Sequence, residues 1–171
     1  KAQEMGLEIN SYPEFIYNQS KDKKRIVIAG SHGKTTTTSM ILHVLKKLEL
    51  KFDFMVGAQI SGFDTMVRLS DAPIIVLEGD EYFSSPIDMK AKFLWYKRHV
   101  AVITGIAWDH INVYPTKELY KKAFSDFIMT IEGDGCYYYF KEDEVLNEVV
   151  ESTNRSILRE GYTDFEHRLE N

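Results

Sequence analysis

The residues with the clearest chemistry in this sequence form a short loop between an apolar run and a helix pattern, Gly30-Ser31-His32-Gly33-Lys34-Thr35-Thr36. Its two glycines let the backbone turn tightly with N–H groups directed at an anion, and the start of the helix adds a positive dipole end. Lys34 supplies a cation for β- and γ-phosphates, and the Thr35 hydroxyl is a ligand for Mg²⁺. The loop is therefore predicted to bind a nucleoside triphosphate, although a glycine turn before a helix also arises by chance.

One position of the loop departs from the commonest phosphate-binding pattern. The longer motif G-x-x-x-x-G-K-[ST] requires glycine where this chain has Ile28, so the loop is a shortened variant. His32 lies inside the loop, where its ring can contact the nucleotide or only hydrogen-bond the loop. Both interpretations stay open.

Acidic residues follow the apolar run Ile74-Ile75-Val76-Leu77. Because Mg²⁺ takes oxygen ligands, Glu78 at the end of this run can complete a metal shell begun by Thr35 and the phosphates. The alternative is an ordinary solvated strand end. Asp80 and Glu81 either support the metal ligands or are plain surface charge.

A third polar segment, Asp109-His110, follows the apolar run of residues 99–104. A neutral imidazole can bind a second metal ion or contact a phosphate, although a lone loop histidine is more often structural or solvated. Ligands of parallel α/β sheets bind beyond the carboxyl ends of the strands, where these segments would meet the glycine loop. Their convergence at one edge is a stronger indication of a site than any single motif.

The elements that must position these groups alternate between strand and helix patterns. Apolar, β-branched runs predict strands at Arg25–Ala29, Phe52–Val56, Pro73–Leu77, His99–Thr104, Cys136–Phe140 and Ser156–Leu158. Helix patterns cover Thr35–Glu49, with a predicted apolar stripe of Met40, Ile41, Val44, Leu45 and Leu48, then Thr116–Ile131 and Lys141–Ser152. This alternation predicts an α/β fold with a mostly parallel sheet flanked by helices. Residues 1–22 are expected to form a linker or short lead-in helix, and residues 23–171 one domain.

The composition excludes several classes of protein. The 171 residues include 44% hydrophobic residues and carry a formal net charge of -5, which argues against a nucleic-acid partner. No apolar run approaches the ~20 residues needed to cross a bilayer, so no membrane partner is expected. Cys136 is the only cysteine, which excludes an intrachain disulfide and fits a reducing compartment, most simply the cytoplasm.

The loop with its following threonines resembles the phosphate loop of the Mur ligases, the ATP-dependent amide-bond-forming enzymes of peptidoglycan synthesis. Glu78 and the segment Asp109-His110 before Tyr114-Pro115 match the family's other two motifs in order and approximate spacing. The resemblance implies a P-loop NTPase-like central domain that holds ATP on Gly30, Ser31, His32, Gly33, Lys34, Thr35 and Thr36. It further implies that Lys34 contacts the β- and γ-phosphates, that Thr35 and Glu78 bind one Mg²⁺, and that His110 binds a second. Lys34, Glu78 and His110 are the catalytic residues it implies.

Finer features resemble the murein peptide ligase branch of the family, namely Asp80-Glu81-Tyr82, Asp88, Lys92-Phe93 and Tyr96. That branch joins recycled L-alanyl-γ-D-glutamyl-meso-diaminopimelate to UDP-N-acetylmuramate through an acyl phosphate, with release of ADP and phosphate. The L-alanine-adding branch is the nearest alternative. A non-catalytic nucleotide-binding module is the alternative from another class. Because the chain ends at Asn171, we expect a truncated central domain that lacks the uridine-binding and C-terminal domains and is inactive alone.

Overall fold

The computed structural model describes residues 1, 3–108 and 111–163, and its main feature is a seven-stranded sheet. The sheet contains β1 (Lys24–Ala29), β2 (Phe52–Met55), β3 (Val67–Arg68), β4 (Ile74–Glu78), β7 (Val100–Ile103), β8 (Cys136–Phe140) and β9 (Leu158–Tyr162). A separate hairpin consists of β5 (Phe83–Ser85) and β6 (Asp88–Ala91). The helices are α1 (Tyr12–Asn18), α2 (Lys34–Lys47), α3 (Lys92–Trp95), α4 (Lys117–Met129) and α5 (Glu144–Ser152), and Gln3–Met5 is a single 3-10 turn.

The strand order is β3-β2-β4-β1-β7-β8-β9, and every neighbouring pair is parallel except β2 and β3. Strand β1 therefore lies between β4 and β7. Its last residues pair with the ends of both neighbours, Ile28 with Glu78 and Ala29 with Ile103. The predicted mostly parallel α/β fold is confirmed, and the carboxyl ends of β1, β4 and β7 share one edge of the sheet.

Both faces of the sheet are covered, because successive side chains of β1 point into different hydrophobic cores. Val27 and Ala29 point into the larger hydrophobic core, whereas Ile28 points into the smaller core on the opposite face. The larger core contains Phe93, whose ring centroid lies 4.7 Å from that of Phe127 and 5.5 Å from that of Phe124. A strand buried on both faces explains why the run before the glycine loop is continuously apolar rather than alternating.

The predicted apolar stripe of α2 is wrong in part. Ile41 and Leu45 pack against the smaller core, but Met40, Val44 and Leu48 are exposed. The buried residues of α2 are Thr38 and Leu42 instead. The prediction was wrong because a helix that packs on one face of a sheet buries only a narrow side. The apolar spacing alone does not reveal which of two adjacent stripes of side chains faces the sheet.

Several boundaries also differ from the predictions. Strand β9 runs from Leu158 to Tyr162 rather than from Ser156 to Leu158, and α5 begins at Glu144 because the Asp143 side chain caps its N-terminus. On α4, Ala123, Phe127 and Ile128 are buried, whereas Leu119 is exposed. Strands β3, β5 and β6 and helix α3 were not predicted, since each has four residues or fewer and carries little periodicity.

The segment before β1 contains α1, whose start the local sequence specifies. Ser11 accepts a hydrogen bond from the backbone N–H of Glu14, and the Glu14 carboxylate accepts one from the backbone N–H of Ser11, which completes a capping box. Ile16 of this helix is fully buried in the larger core. Helix α1 is therefore packed onto the sheet domain and brings Tyr12 close to the carboxyl edge of the sheet.

Candidate active site

The glycine loop lies at the carboxyl end of β1 and leads directly into α2. Gly33 adopts a left-handed conformation (φ 76°) and is the N-cap of the helix, a geometry that favours glycine. Gly30 has φ 137°, and a Cβ added there would lie closer than 3 Å to the Thr104 side chain. The loop is anchored from the end of β7, because the Thr104 hydroxyl donates to the His32 carbonyl at 2.5 Å and Gly105 accepts from Ser31 N–H at 3.0 Å.

The Lys34 side chain folds back over this loop. Its Nζ donates to the Gly30 carbonyl at 2.6 Å and to the Ser31 carbonyl at 3.4 Å. The same ammonium forms an ion pair with Glu81 Oε2 at 3.2 Å. The lysine therefore lies where a phosphate held by the loop would meet it, with loop carbonyls and one carboxylate as its partners.

The Thr35 hydroxyl and the Glu78 carboxylate, which the family resemblance implies are ligands of one Mg²⁺, are adjacent. Thr35 Oγ1 donates to Glu78 Oε1 at 2.8 Å, and Gly57 N–H donates to Glu78 Oε2 at 3.1 Å. A hydroxyl and a carboxylate are both hard oxygen ligands, which suits Mg²⁺. Within residues 1, 3–108 and 111–163, no group of three or more His, Cys, Asp or Glu side chains could hold a metal ion. A cation at Thr35 and Glu78 would complete its shell with phosphate oxygens and water.

Glu81 is the site residue whose environment the sequence did not reveal. Its side chain is 1% exposed, so it is not the surface charge that one interpretation allowed. Besides Lys34, the carboxylate accepts from Tyr120 O–H at 3.3 Å, while Tyr114 O–H donates to the Glu81 backbone carbonyl at 2.6 Å. Burial and the nearby Glu81 charge raise the pKa of Tyr114 and of Tyr120, which keeps both phenols protonated as donors. Asp80, by contrast, is partly exposed and pairs with Lys92 at 2.8 Å.

A cavity of about 500 Å³ opens beside these groups. Lys34, Glu78 and Glu81 line it on the side of the phosphate loop, and Tyr12, Tyr82, Tyr96 and Lys92 line it further out. A second cavity of about 560 Å³ lies at the β2–β3 edge and contains none of the loop or strand-end residues named above, so we assign the site to the first. The site cavity is large enough for a substrate group next to the terminal phosphate of a nucleotide.

The remaining predicted site residues that the structure describes are His32 and Thr36. The side chains of His32 and Thr36 are exposed at the loop and the first turn of α2. Asp109 and His110 lie outside the described residues, so their predicted role stays a prediction. No helix among the described residues is both long and apolar enough to cross a membrane.

Comparison with known proteins identifies the family. A model of the Mur ligase middle domain matches residues 28–168. The chain belongs to the Mur ligase family. This agrees with the resemblance inferred from the loop, Glu78 and the Asp109-His110 segment.

Two curated relatives represent two branches of the family. UDP-N-acetylmuramate–L-alanyl-γ-D-glutamyl-meso-2,6-diaminoheptandioate ligase of Haemophilus influenzae is 31% identical over 133 residues, covering 77% of this chain and 29% of the relative. UDP-N-acetylmuramate–L-alanine ligase of Clostridium botulinum is 31% identical over 162 residues, covering 94% of this chain and 34% of the relative. The chain thus spans about a third of the length of the curated relatives it matches.

Solved Mur ligases share the fold. The L-alanyl-γ-D-glutamyl-meso-diaminopimelate ligase of Neisseria meningitides superimposes with a TM-score of 0.86 at 25% identity, covering 94% of this chain and 52% of that one. A MurF ligase of Thermotoga maritima in complex with ADP superimposes with a TM-score of 0.62 at 18% identity, covering 88% of this chain and 35% of that one.

Proposed function

We propose that this chain is the ATP-binding central domain of a cytoplasmic ligase that joins L-alanyl-γ-D-glutamyl-meso-diaminopimelate to UDP-N-acetylmuramate. The observation that carries the proposal is the meeting of Lys34, Thr35 and Glu78 at the carboxyl edge of one sheet. The side chains of Thr35 and Glu78 come within 2.8 Å of each other from different segments of the chain. They lie beside a loop in which Gly30 and Gly33 adopt positive φ angles that favour glycine. Family membership supplies the reaction class, an ATP-dependent amide-bond formation.

The described residues account for the binding part of this reaction. The N–H groups of the loop and the start of α2 would hold the phosphates of ATP, and the Lys34 ammonium would neutralise charge on the β- and γ-phosphates. Thr35 and Glu78 would hold Mg²⁺, which supplies charge neutralisation when phosphoryl transfer makes an acyl phosphate of the muramate carboxylate. His110 is proposed as the ligand of a second Mg²⁺. The substrate carboxylate would enter through the cavity lined by Lys34 and Glu81.

Two observations favour the tripeptide over L-alanine as the acceptor. Three of the residues that resemble the murein peptide ligase branch contact one another, since Lys92 Nζ pairs with Asp80 and lies 5.8 Å from the centroid of the Tyr82 ring. The Neisseria tripeptide ligase also superimposes with a high TM-score of 0.86. L-alanine is the second candidate, because the Clostridium alanine ligase matches more of this chain, 94% against 77%.

Calorimetric titration of the chain with ATP, with and without Mg²⁺, tests the nucleotide site. We expect Thr35→Val to weaken Mg-ATP binding by about tenfold, the scale of a lost charge-assisted contact, and to reduce the gain that Mg²⁺ gives. Thr37→Val is the matched control, since it removes a hydroxyl from the same helix. Equal Mg-ATP affinity of the wild-type and Thr35→Val proteins would refute the site.

The acceptor is tested in the longer natural protein that contains this chain. We expect phosphate release from ATP to require UDP-N-acetylmuramate and to be stimulated by the tripeptide more than by L-alanine. Stimulation by L-alanine alone would refute the tripeptide assignment and leave the ATP site standing. ATP binding with no release under either condition would favour a non-catalytic nucleotide-binding module.

A further inference from the structure

Glu81 is a carboxylate buried inside the candidate site without a role in the proposed chemistry. Its side chain is 1% exposed, and a buried charge is strongly unfavourable unless it is paired and hydrogen-bonded. Among the described residues it forms an ion pair with Lys34, which is itself only 16% exposed. The residue assigned to the phosphates is therefore also the counter-ion of a buried acid.

The Glu81 carboxylate is held by groups from other segments of the chain. Tyr120 of α4 donates to Oε1 at 3.3 Å, and the same phenol oxygen lies 2.8 Å from Ser31 Oγ in the phosphate loop. Ser31 Oγ in turn accepts from Ala107 N–H and lies near the Ala107 carbonyl oxygen, each at 2.9 Å. With Tyr114 O–H on the Glu81 carbonyl, these contacts fix the carboxylate relative to the loop.

The ammonium of Lys34 has three N–H donors, and its acceptors include two loop carbonyls and Glu81. A phosphate in the loop can replace the two carbonyls without disturbing Glu81. Leaving Glu81 would take a counter-ion away from a buried carboxylate, which is more costly than exchanging a carbonyl for a phosphate oxygen. The ammonium can therefore turn toward the phosphates while it stays attached to Glu81.

We infer that Glu81 is the positioning residue for Lys34, an anchor that holds the ammonium in the free protein and aims it at the phosphates in the complex. This inference rests on the proposed ATP site. It gives Glu81 two opposite effects. The carboxylate neutralises part of the lysine charge and so weakens ground-state nucleotide binding, but it fixes the lysine in the geometry needed for phosphoryl transfer.

The first test is the Glu81→Gln variant, which keeps the shape and removes the charge. In the chain, Mg-ATP should bind about tenfold more tightly, because the Glu81 carboxylate no longer competes with the phosphates as a counter-ion of Lys34. In the longer natural enzyme, kcat should fall by at least about tenfold while KM for ATP also falls, a split that general damage to the fold does not produce. Glu132→Gln is the matched control. It removes a carboxylate paired with Arg25 at the opposite edge of the sheet and should change neither constant.

A double-mutant cycle with Lys34→Met shows whether Glu81 acts through the lysine. In the Lys34→Met background, Glu81→Gln should leave Mg-ATP affinity unchanged. The same tightening in both backgrounds would mean that Glu81 acts directly on the phosphates, and the inference would be overturned. The cycle also separates binding from stability, since Lys34→Met alone removes a counter-ion from the buried Glu81 and should lower the free energy of unfolding, whereas the double variant should restore part of it.

The wild-type protein offers a test that no folding defect can obscure. The ammonium NMR signal of Lys34, assigned by its loss in Lys34→Met, should be resolved and slowly exchanging in the free protein and should shift on addition of Mg-ATP. The exposed Lys47 is the reference for a solvated ammonium. If the ammonium hydrogens of Lys34 exchanged with water as fast as those of Lys47, the inference that Glu81 holds Lys34 would be overturned, and the ATP site would be unaffected. Failure of the wild-type protein to bind Mg-ATP would overturn both.

Discussion

Replacing Gly30 with alanine should displace the phosphate loop. Gly30 has φ 137°, a conformation that residues with a Cβ rarely adopt. The added Cβ would lie closer than 3 Å to Thr104 Oγ1, and also 3.0 Å from the Gly105 carbonyl oxygen and 3.1 Å from Thr104 N. The two backbone contacts cannot be relieved by rotating a side chain, so the loop itself must move.

The expected loss of stability has two causes, the strained backbone and the steric overlap of the added Cβ. A residue held in a sparsely populated backbone region costs about 1–3 kcal/mol. Forcing extra atoms into a packed site costs about 1–3 kcal/mol more. Gly30→Ala should therefore lower the free energy of unfolding by about 2–6 kcal/mol, and a displaced loop should lose its affinity for Mg-ATP.

Urea denaturation and calorimetric titration of the same samples measure both consequences. Gly133→Ala is the control, because Gly133 has φ 55° and an added Cβ would meet nothing within 4 Å. Gly133→Ala should lower the free energy of unfolding by only about 1–2 kcal/mol, the cost of placing alanine in a left-handed conformation, and should still bind Mg-ATP. The double variant Gly30→Ala/Thr104→Ala removes the closest contact, so Thr104→Ala should cost less stability in the Gly30→Ala background than in the wild type, where it only removes an anchor of the loop. If Gly30→Ala bound Mg-ATP as tightly as wild type and lost no more stability than Gly133→Ala, our account of the loop would be wrong.

Two further predictions concern the framework of the site. Phe93→Ala should lower the free energy of unfolding by about 3–5 kcal/mol in urea denaturation, because the ring is fully buried against Phe127; the half-exposed Phe15→Ala should cost far less. Burial opposes ionisation of Asp53, but hydrogen bonds from Ser70 and Lys23 outweigh it and lower the pKa of Asp53 below 3.8. The stabilisation from Asp53 is therefore complete above pH 3.8 and lost as the pH falls through the lowered value, so wild type should exceed Asp53→Asn in stability at pH 7 and converge with it in acid. A stability difference that stayed constant from pH 7 to pH 3 would contradict this assignment.

The amino-acid sequence alone determined the parts of this protein that depend on local chemistry. The glycine spacing at 30 and 33, with Lys34 and Thr35 after a β-branched run, identified the loop because backbone freedom and side-chain type are local properties. Its missing glycine at Ile28 pointed to the Mur ligases. The position of Glu78 directly after a buried run likewise placed it at a strand end, and the tertiary structure puts it next to Thr35.

Other features were decided only by the tertiary structure, because they depend on which distant segments meet. Nothing in the local pattern distinguishes Asp80 from Glu81, yet the first is partly exposed and the second is buried beside Lys34, Tyr114 and Tyr120. The same holds for α2, whose apolar residues fall on two adjacent stripes of which the sheet buries one. Burial is set by neighbours that are remote along the chain, and β1 acquired its neighbours β4 and β7 only when the sheet assembled. For that reason the sequence could supply the phosphate loop, whereas the carboxylate that anchors its lysine emerged from the fold.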